Sequence, residues 1–209
     1  MATEQTIDPT PASTPAASPP PPRRGGFLSV LKKVFLVLAA IIVVFAIVVS
    51  TRPADYKISR SATIDAPVSV VFEQVNDFHH WNAWSPWAKL DPAAKNTFEG
   101  PESGTGAVFT WSGNNEIGAG KMTLTESRPN ELIAIKLQFI RPFEDQGDVE
   151  FTFQPESDHT VITWSMSGHQ NFIGKAVCMF MNMDKMLGGD FERGLAQIKV
   201  IAEAEAHKK

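Results

Sequence analysis

The sequence predicts an α+β protein in which a curved antiparallel sheet grips one long C-terminal helix, with one transmembrane helix before this domain. Three observations carry the prediction: an unbroken apolar run near the N-terminus, a middle region of segments that alternate polar and apolar residues, and a return to helical periodicity at the end. A chain of 209 residues has room for one domain with appendages.

Residues 1–26 form a Pro-rich tail. They contain seven prolines and, after Met1, one aliphatic residue larger than alanine, Ile7. Such a segment cannot bury enough apolar surface to offset the entropy cost of ordering. We predict a disordered tail, partly in polyproline II conformation, which acts either as a simple extension or as a ligand for a Pro-binding domain.

A transmembrane helix is predicted over residues 27–51. Val34–Val49 is a run of sixteen apolar residues, and the apolar character extends back to Phe27. A cleaved signal peptide is the alternative, but the run is long for one and Ser50–Ala54 offers no typical cleavage site. We expect an uncleaved single-pass anchor in the cell membrane. Four basic residues precede the run, which favours a translocated, periplasmic or extracellular domain.

The domain itself is predicted over residues 55–206. Asp55–Ile64 alternates as a first strand would, and two short helices follow, the first opening at Pro67. Five further strands are predicted, over Gly104–Trp111, Gly120–Glu126, Glu131–Ile140, Gly147–Gln154 and Thr160–Ser167. The final helix carries an apolar stripe of Met183, Leu187, Phe191, Leu195, Ile198 and Ala202. Gly188–Gly189 interrupts it, which predicts a kink or a close backbone approach.

Alternation assigns one face of each strand to the interior, and this face carries no titratable side chain. The interior is then either a filled core or the wall of a cavity for an apolar ligand. The candidate cavity residues are Trp84, Trp87, Phe109, Trp111, Met122, Leu137, Phe139, Phe151, Phe153, Trp164, Met166, Met179, Met183, Met186 and Leu187.

Two clusters among these candidates have alternative interpretations. Met179, Met183 and Met186 fall on one helical face at steps of four and three, and methionines suit irregular cavities as well as ordinary packing. Trp84 and Trp87, with Trp81, place three indoles within seven residues. They form either an aromatic gate at a cavity mouth or a cap over the open end of the sheet.

Several function classes are disfavoured. Residues 51–209 carry 15 basic and 21 acidic residues, a net charge of −6, which argues against a nucleic-acid partner. The one histidine pair, His79–His80, points in directions about 100° apart, so it does not chelate a metal. Cys178 is the single cysteine. We expect no metal, no cofactor and no assignable catalytic residue, and no pattern indicates an oligomeric state.

The order of motifs resembles one superfamily. The segments are RSATIDAPVSVV (60–71), FHHWNAWSPW (78–87), GPESGTG (100–106), GKMTLTESRPN (120–130) and MDKMLGGDFERGL (183–195). Together they resemble the SRPBCC superfamily of START-like, polyketide cyclase/dehydrase and lipid-transport proteins. The resemblance implies a helix-grip fold and, in many members, a deep hydrophobic cavity. It implies no single activity, since members include carriers, receptors and cyclases.

Three functions follow as hypotheses. The first is a binding module that holds a lipid or other hydrophobic small molecule between sheet and helix, beside the bilayer that residues 27–51 span. The second is a membrane-tethered interaction protein with a filled core. The third is an enzyme of cyclase or dehydratase type, which needs polar groups that converge inside the cavity. We rank them in that order.

Overall fold

A computed structural model describes residues 25–208 of the chain. The chain divides into two compact units, with the boundary between Ile47 and Val48. The Pro-rich tail predicted over residues 1–26 lies outside the described residues, except for Gly25 and Gly26.

The first unit contains most of the apolar helix α1, Gly25–Ser50, whose last three residues belong to the second unit. Its 23 residues from Leu28 to Ser50 correspond to about 35 Å of helix, more than the roughly 30 Å of a bilayer core. The large apolar side chains from Leu28 to Val44 are each more than half exposed, so α1 is not a buried core helix. One helix of the described chain is therefore long and apolar enough to span a membrane, as an anchor or a signal sequence would be.

The second unit holds seven strands and four further helices. The helices are α2 (Val68–Asn76), α3 (Trp81–Trp84), α4 (Phe172–Cys178) and α5 (Met183–Ala206), with a 3₁₀ turn at Phe78–His80. The strands are β1 (Asp55–Ile64), β2 (Lys95–Glu99), β3 (Val108–Ser112), β4 (Ala119–Arg128), β5 (Leu132–Arg141), β6 (Asp145–Glu156) and β7 (His159–His169).

All seven strands form one antiparallel sheet in the order β1-β7-β6-β5-β4-β3-β2. Strands β2 to β7 follow one another as a meander, and β1 pairs with β7, the last strand. The long helix α5 packs against β1 and the inner face of the curved sheet. The predicted helix-grip architecture is confirmed.

Two details at the β2 edge differ from the sequence prediction. Strand β2 was not predicted, because all five of its residues are exposed and it lacks the one-sided alternation of a core strand. Strand β3 begins at Val108 rather than at Gly104, because the Gly104–Gly106 segment forms a turn with positive φ angles at both glycines.

The core lies between the inner face of the sheet and α5. The strand residues assigned inward, such as Ile133, Phe151 and Ile162, are fully buried. Phe191, in the predicted stripe of α5, stacks on Trp164 of β7 with ring centroids 4.2 Å apart. Gly194 permits this packing, because a Cβ there would lie 2.7 Å from the Trp164 ring.

The prediction of a close approach at Gly188–Gly189 is confirmed at Gly188. A Cβ at this position would overlap the guanidinium group of Arg60. That group reaches across α5 and donates hydrogen bonds to Asp184 (3.0 Å) and Glu192 (2.7 Å). The missing side chain of Gly188 thus allows β1 to be linked to the first turns of α5.

Candidate functional site

A cavity of about 310 Å³ lies between the inner face of the sheet and the N-terminal half of α5. Its wall includes side chains from all seven strands, from the α3–β2 connection and from α5. The apolar residues of this wall are Trp81, Trp87, Ala88, Ala94, Phe109, Trp111, Ile117, Met122, Leu137, Phe139, Val149, Trp164, Met166, Met183, Leu187 and Phe191. The interior is therefore a ligand-sized space and not only packed core.

Most of the candidate residues predicted from the sequence line this cavity. They are Trp87, Phe109, Trp111, Met122, Leu137, Phe139, Trp164, Met166, Met183 and Leu187. They lie on strands β3, β4, β5 and β7, on the α3–β2 connection and on the first two turns of α5.

Three predicted residues lie in solid core instead. Trp84 is 1% exposed, and its indole N–H donates to the Gln74 carbonyl oxygen at 2.8 Å. Phe151 is fully buried against Trp164, with ring centroids 4.9 Å apart. Phe153 packs edge-on against Phe72 of α2, which occupies the space beside it. These side chains lie behind the cavity wall and support it, because α2 and α3 cover the inner face of the sheet at this end.

Met179 and Met186 also lie away from the cavity lining. The prediction placed them with Met183 on one helix face, but the helix is not continuous. Helix α4 ends at Cys178, and Asn182 starts α5 by accepting a hydrogen bond from the Lys185 N–H at 2.9 Å. Only Met183 of the three lines the cavity, and Met186 is 46% exposed.

The three tryptophans of the cluster differ in position, because Trp84 lies in the core whereas Trp81 and Trp87 reach the cavity lining. Trp81, like Trp84, is buried and donates its indole N–H to a carbonyl of α2, that of Val75 at 3.0 Å. Both therefore fasten the 3₁₀ turn and α3 to α2. Trp87 is half-buried and lines the cavity, where it meets Trp164 edge-on at 5.9 Å.

The expectation of a cavity without titratable groups is wrong. Tyr56 of β1 lines it, and its hydroxyl lies beside the backbone of Gly168 and Gly147 on the two neighbouring strands. Burial, followed by the negative charge of Asp145, raises the pKa of Tyr56, so this phenol stays protonated. Alternation carried the signal: Tyr56 is two residues from the buried Ile58 and shares its face.

Three carboxylates are among the other polar residues of the lining: Asp91, Glu116 and Asp145. Glu116 and Asp145 are exposed and lie at the rim, whereas Asp91 accepts backbone hydrogen bonds from Ala93 and Asn114. Sequence reasoning missed them because they lie in loops or at a strand end, outside the alternating segments. Among the described residues that line the cavity, none is Lys, Arg or His. The rim is thus negative and the interior apolar.

One polar atom of the wall has no hydrogen-bond partner among residues 25–208: the indole nitrogen of Trp164. Trp164 is 2% exposed and lies between the cavity and the core. A buried N–H donor without a partner is costly, and such groups in native proteins call for an explanation.

Comparison with known sequences now decides the family. The model of a family described as polyketide cyclase / dehydrase and lipid transport matches residues 55–203. The chain belongs to this family. For a polyketide cyclase / dehydrase and lipid transport protein, the seven-stranded sheet, the long C-terminal helix and the apolar cavity between them form a coherent set. A search of curated proteins gives no match to the chain.

Solved structures share this fold at low sequence identity. A protein from Nitrosospira multiformis is 19% identical, with a TM-score of 0.53 over 73% of this chain and 99% of that chain. The di-domain ARO/CYC StfQ from the steffimycin biosynthetic pathway is 11% identical, with a TM-score of 0.56 over 74% and 52% of the two chains. The Aha1 dimer from Colwellia psychrerythraea is 13% identical, with a TM-score of 0.50 over 71% and 96%. These similarities support the fold alone.

Proposed function

We propose that this protein is a membrane-anchored binding module that holds one small hydrophobic molecule between the sheet and α5. The observation that carries the proposal is the cavity of about 310 Å³ with its largely apolar wall. This volume is at the lower end of the roughly 300–1,000 Å³ typical of ligand pockets. It suits a single-chain or compact ring compound better than a two-chain lipid.

The polar groups narrow the ligand class. The rim carries Glu116 and Asp145 and no basic side chain, so a ligand carboxylate or phosphate is repelled there. At 4 Å, two like charges repel by about 1 kcal/mol in water and roughly 4 kcal/mol near a protein surface. The protonated phenol of Tyr56 is a donor for a neutral acceptor such as a carbonyl or hydroxyl oxygen. The favoured ligand is neutral or cationic.

The anchor brings the cavity close to a bilayer. Tyr56 of the cavity wall lies six positions after Ser50, the last residue of α1. Even a fully extended chain of that length covers only about 20 Å. If α1 spans a membrane, this wall lies within that distance of the lipid surface. We further propose that the domain lies on the translocated side, which protease protection in intact cells tests directly.

An enzyme of cyclase or dehydratase type is the second candidate, since Tyr56 and three carboxylates reach the lining. However, general acid–base catalysis is most efficient when a pKa lies near the working pH. The raised pKa of Tyr56 moves away from neutrality, which suits a hydrogen-bond donor better than a proton carrier. The interaction protein with a filled core is disfavoured by the cavity itself.

Tryptophan fluorescence provides the test. Four of the five tryptophans line the cavity, and α1 has none, so their emission reports on the domain. The full chain in nanodiscs is titrated with a bromoalkanol and with the bromoalkanoic acid of equal length, because bromine quenches indoles on contact. We expect saturable quenching by the alcohol and about tenfold weaker binding of the acid, a difference of about 1.4 kcal/mol.

Different results would contradict the binding function and the charge preference of the proposal. No saturable quenching by either probe contradicts the binding function. Equal affinity for both probes contradicts the charge preference alone. The variant Glu116→Gln with Asp145→Asn is the matched control, and it is expected to bring the affinity for the acid close to that for the alcohol.

A further inference from the structure

Helix α4 presents its apolar side to the outside of the domain. Phe172, Ile173 and Val177 are 47%, 71% and 47% exposed, and no residue of α4 is buried. At about 100° per residue, these three side chains lie within one arc of roughly 140°. A helix on a globular domain normally turns such a face toward the core. In α4 the apolar side faces away from the core instead.

The polar side of α4 faces inward and is already occupied. Lys175 donates from Nζ to the carbonyl oxygens of Ser50 at 3.3 Å and Arg52 at 3.4 Å. The Sγ of Cys178 accepts a hydrogen bond from the side-chain amide of Gln170 at 3.0 Å. The reversed orientation of α4 is therefore held by specific contacts.

The charge of this segment also differs from that of the domain. Residues 170–183 contain one charged residue, Lys175, and no acidic residue, whereas residues 51–209 carry a net charge of −6. An acidic surface is repelled by anionic lipid headgroups. The α4 face is a part of the domain surface that lacks this repulsion.

The contacts of Lys175 place α4 beside Ser50 at the C-terminal end of α1, within the same compact unit as α4. Ser50 is the last residue of that helix, and a cation that binds the final carbonyls of a helix is a common C-terminal arrangement. If α1 spans a bilayer, Ser50 and Arg52 lie at the boundary between membrane and water. Helix α4 then lies at the same level.

We propose that the outward face of α4, formed by Phe172, Ile173 and Val177, docks into the interfacial region of the bilayer that α1 spans. The proposal rests on the membrane anchoring by α1 put forward above. An apolar helix face in the plane of the interface is a known mode of membrane attachment. Because α5 begins shortly after α4, the cavity residues Met183 and Leu187 are held near the lipid, and a ligand can exchange with the bilayer directly.

The test measures membrane depth at single positions. Cys178→Ala removes the sole cysteine, and nitroxide labels are then placed by Ile173→Cys or Val177→Cys in the full chain in nanodiscs. Val200→Cys is the matched control, because Val200 is an exposed apolar residue of the same domain, 63% exposed on α5. Ala40→Cys labels the middle of α1. Paramagnetic accessibility to oxygen, which partitions into lipid, is compared with accessibility to a water-soluble nickel chelate.

We expect the labels at 173 and 177 to be accessible to oxygen and at least about fivefold less accessible to nickel than the label at 200. Equal nickel accessibility at 173, 177 and 200 overturns the proposal, and so does shielding of 173 and 177 from both reagents, which indicates a protein partner. In either case a lipid-accessible label at 40 leaves the anchor intact. Nickel access at 40 contradicts the anchor and the docking together.

Discussion

The indole ring of Trp111 lies directly over the backbone of Gly120, its register partner on the neighbouring strand. A Cβ at Gly120 would overlap the six-membered part of that ring. From its other edge, the indole N–H of Trp111 donates to the carbonyl oxygen of Ile117 at 3.0 Å. One wall of the cavity therefore depends on the missing side chain of a glycine.

Gly120→Ala tests this relationship. The new methyl group overlaps both the Trp111 ring and the backbone carbonyl oxygen of Gln138, so both must shift. We expect a loss of about 1–3 kcal/mol in the free energy of unfolding, as for other overpacked sites. The affinity for the bromoalkanol falls as well, because the ring moves into the cavity. Gly189→Ala is the control, since a Cβ there meets only the end of Arg193 at 3.8 Å. It is expected to stabilise α5 by about 0.5–1 kcal/mol. Equal effects of the two changes would contradict the account.

Two leucines of α5 allow the cavity to be distinguished from the packed core, because one lies in each. Leu187 lines the cavity, whereas Leu195 is 2% exposed and packed on all sides. Leu187→Phe extends into free space, so denaturant unfolding is expected to show little change in stability while probe binding is lost. Leu195→Phe has no such space and costs about 1–3 kcal/mol. A strongly destabilised Leu187→Phe variant would indicate that the region is filled.

Truncation of two phenylalanines of the sheet tests the same distinction between packed core and cavity wall. Phe151 is fully buried behind Trp164, and Phe139 is half-buried in the cavity wall. Phe151→Ala is expected to cost about 3–5 kcal/mol, the usual range for a buried phenylalanine. Phe139→Ala costs less, because part of its ring already faces open space, and it enlarges the cavity. Equal losses in urea unfolding would count against the assignment of Phe139 to the wall.

The Arg60 link predicts a pH effect. Its hydrogen bonds lower the pKa of Asp184, a group whose ordinary value is about 3.9. A lowered folded-state pKa stabilises the protein above the ordinary value, and that stabilisation is lost as the pH falls through the folded-state value. We therefore expect the Arg60→Met variant to lose less stability than the wild type as the pH falls below about 4. Arg128→Met, which removes an exposed arginine that does not contact Asp184, is expected to leave the acid limb of the profile unchanged.

Periodicity predicted those parts of the fold where burial is one-sided. Strands β5, β6 and β7 have one buried face each, so alternation identified Ile133, Phe151 and Ile162 correctly. Strand β2 is exposed on both faces and gives no such signal. The stripe of α5 was readable because every member lies in the hydrophobic core or packs against it.

The site was less predictable, because alternation says that a side chain points inward but not how deep the space before it is. Trp84 and Phe151 point inward like Trp111, yet α2 and α3 fill the space around them. Met179 was misplaced because a side-chain cap, Asn182, breaks the helix between it and Met183. Alternation along β1 could have identified Tyr56 as an inward residue. Glu116 could not be identified in this way, because it enters the lining from a loop without periodicity.

Native mass spectrometry of the full chain released from nanodiscs, after equilibration with the bromoalkanol, tests the central claim most directly. The account predicts one bound molecule per chain in the wild type and in Gly189→Ala, and loss of that adduct in Leu187→Phe, which keeps its fold. A wild-type chain without any adduct at saturating probe would contradict the account. So would an adduct that is equally abundant in the wild type and in Leu187→Phe.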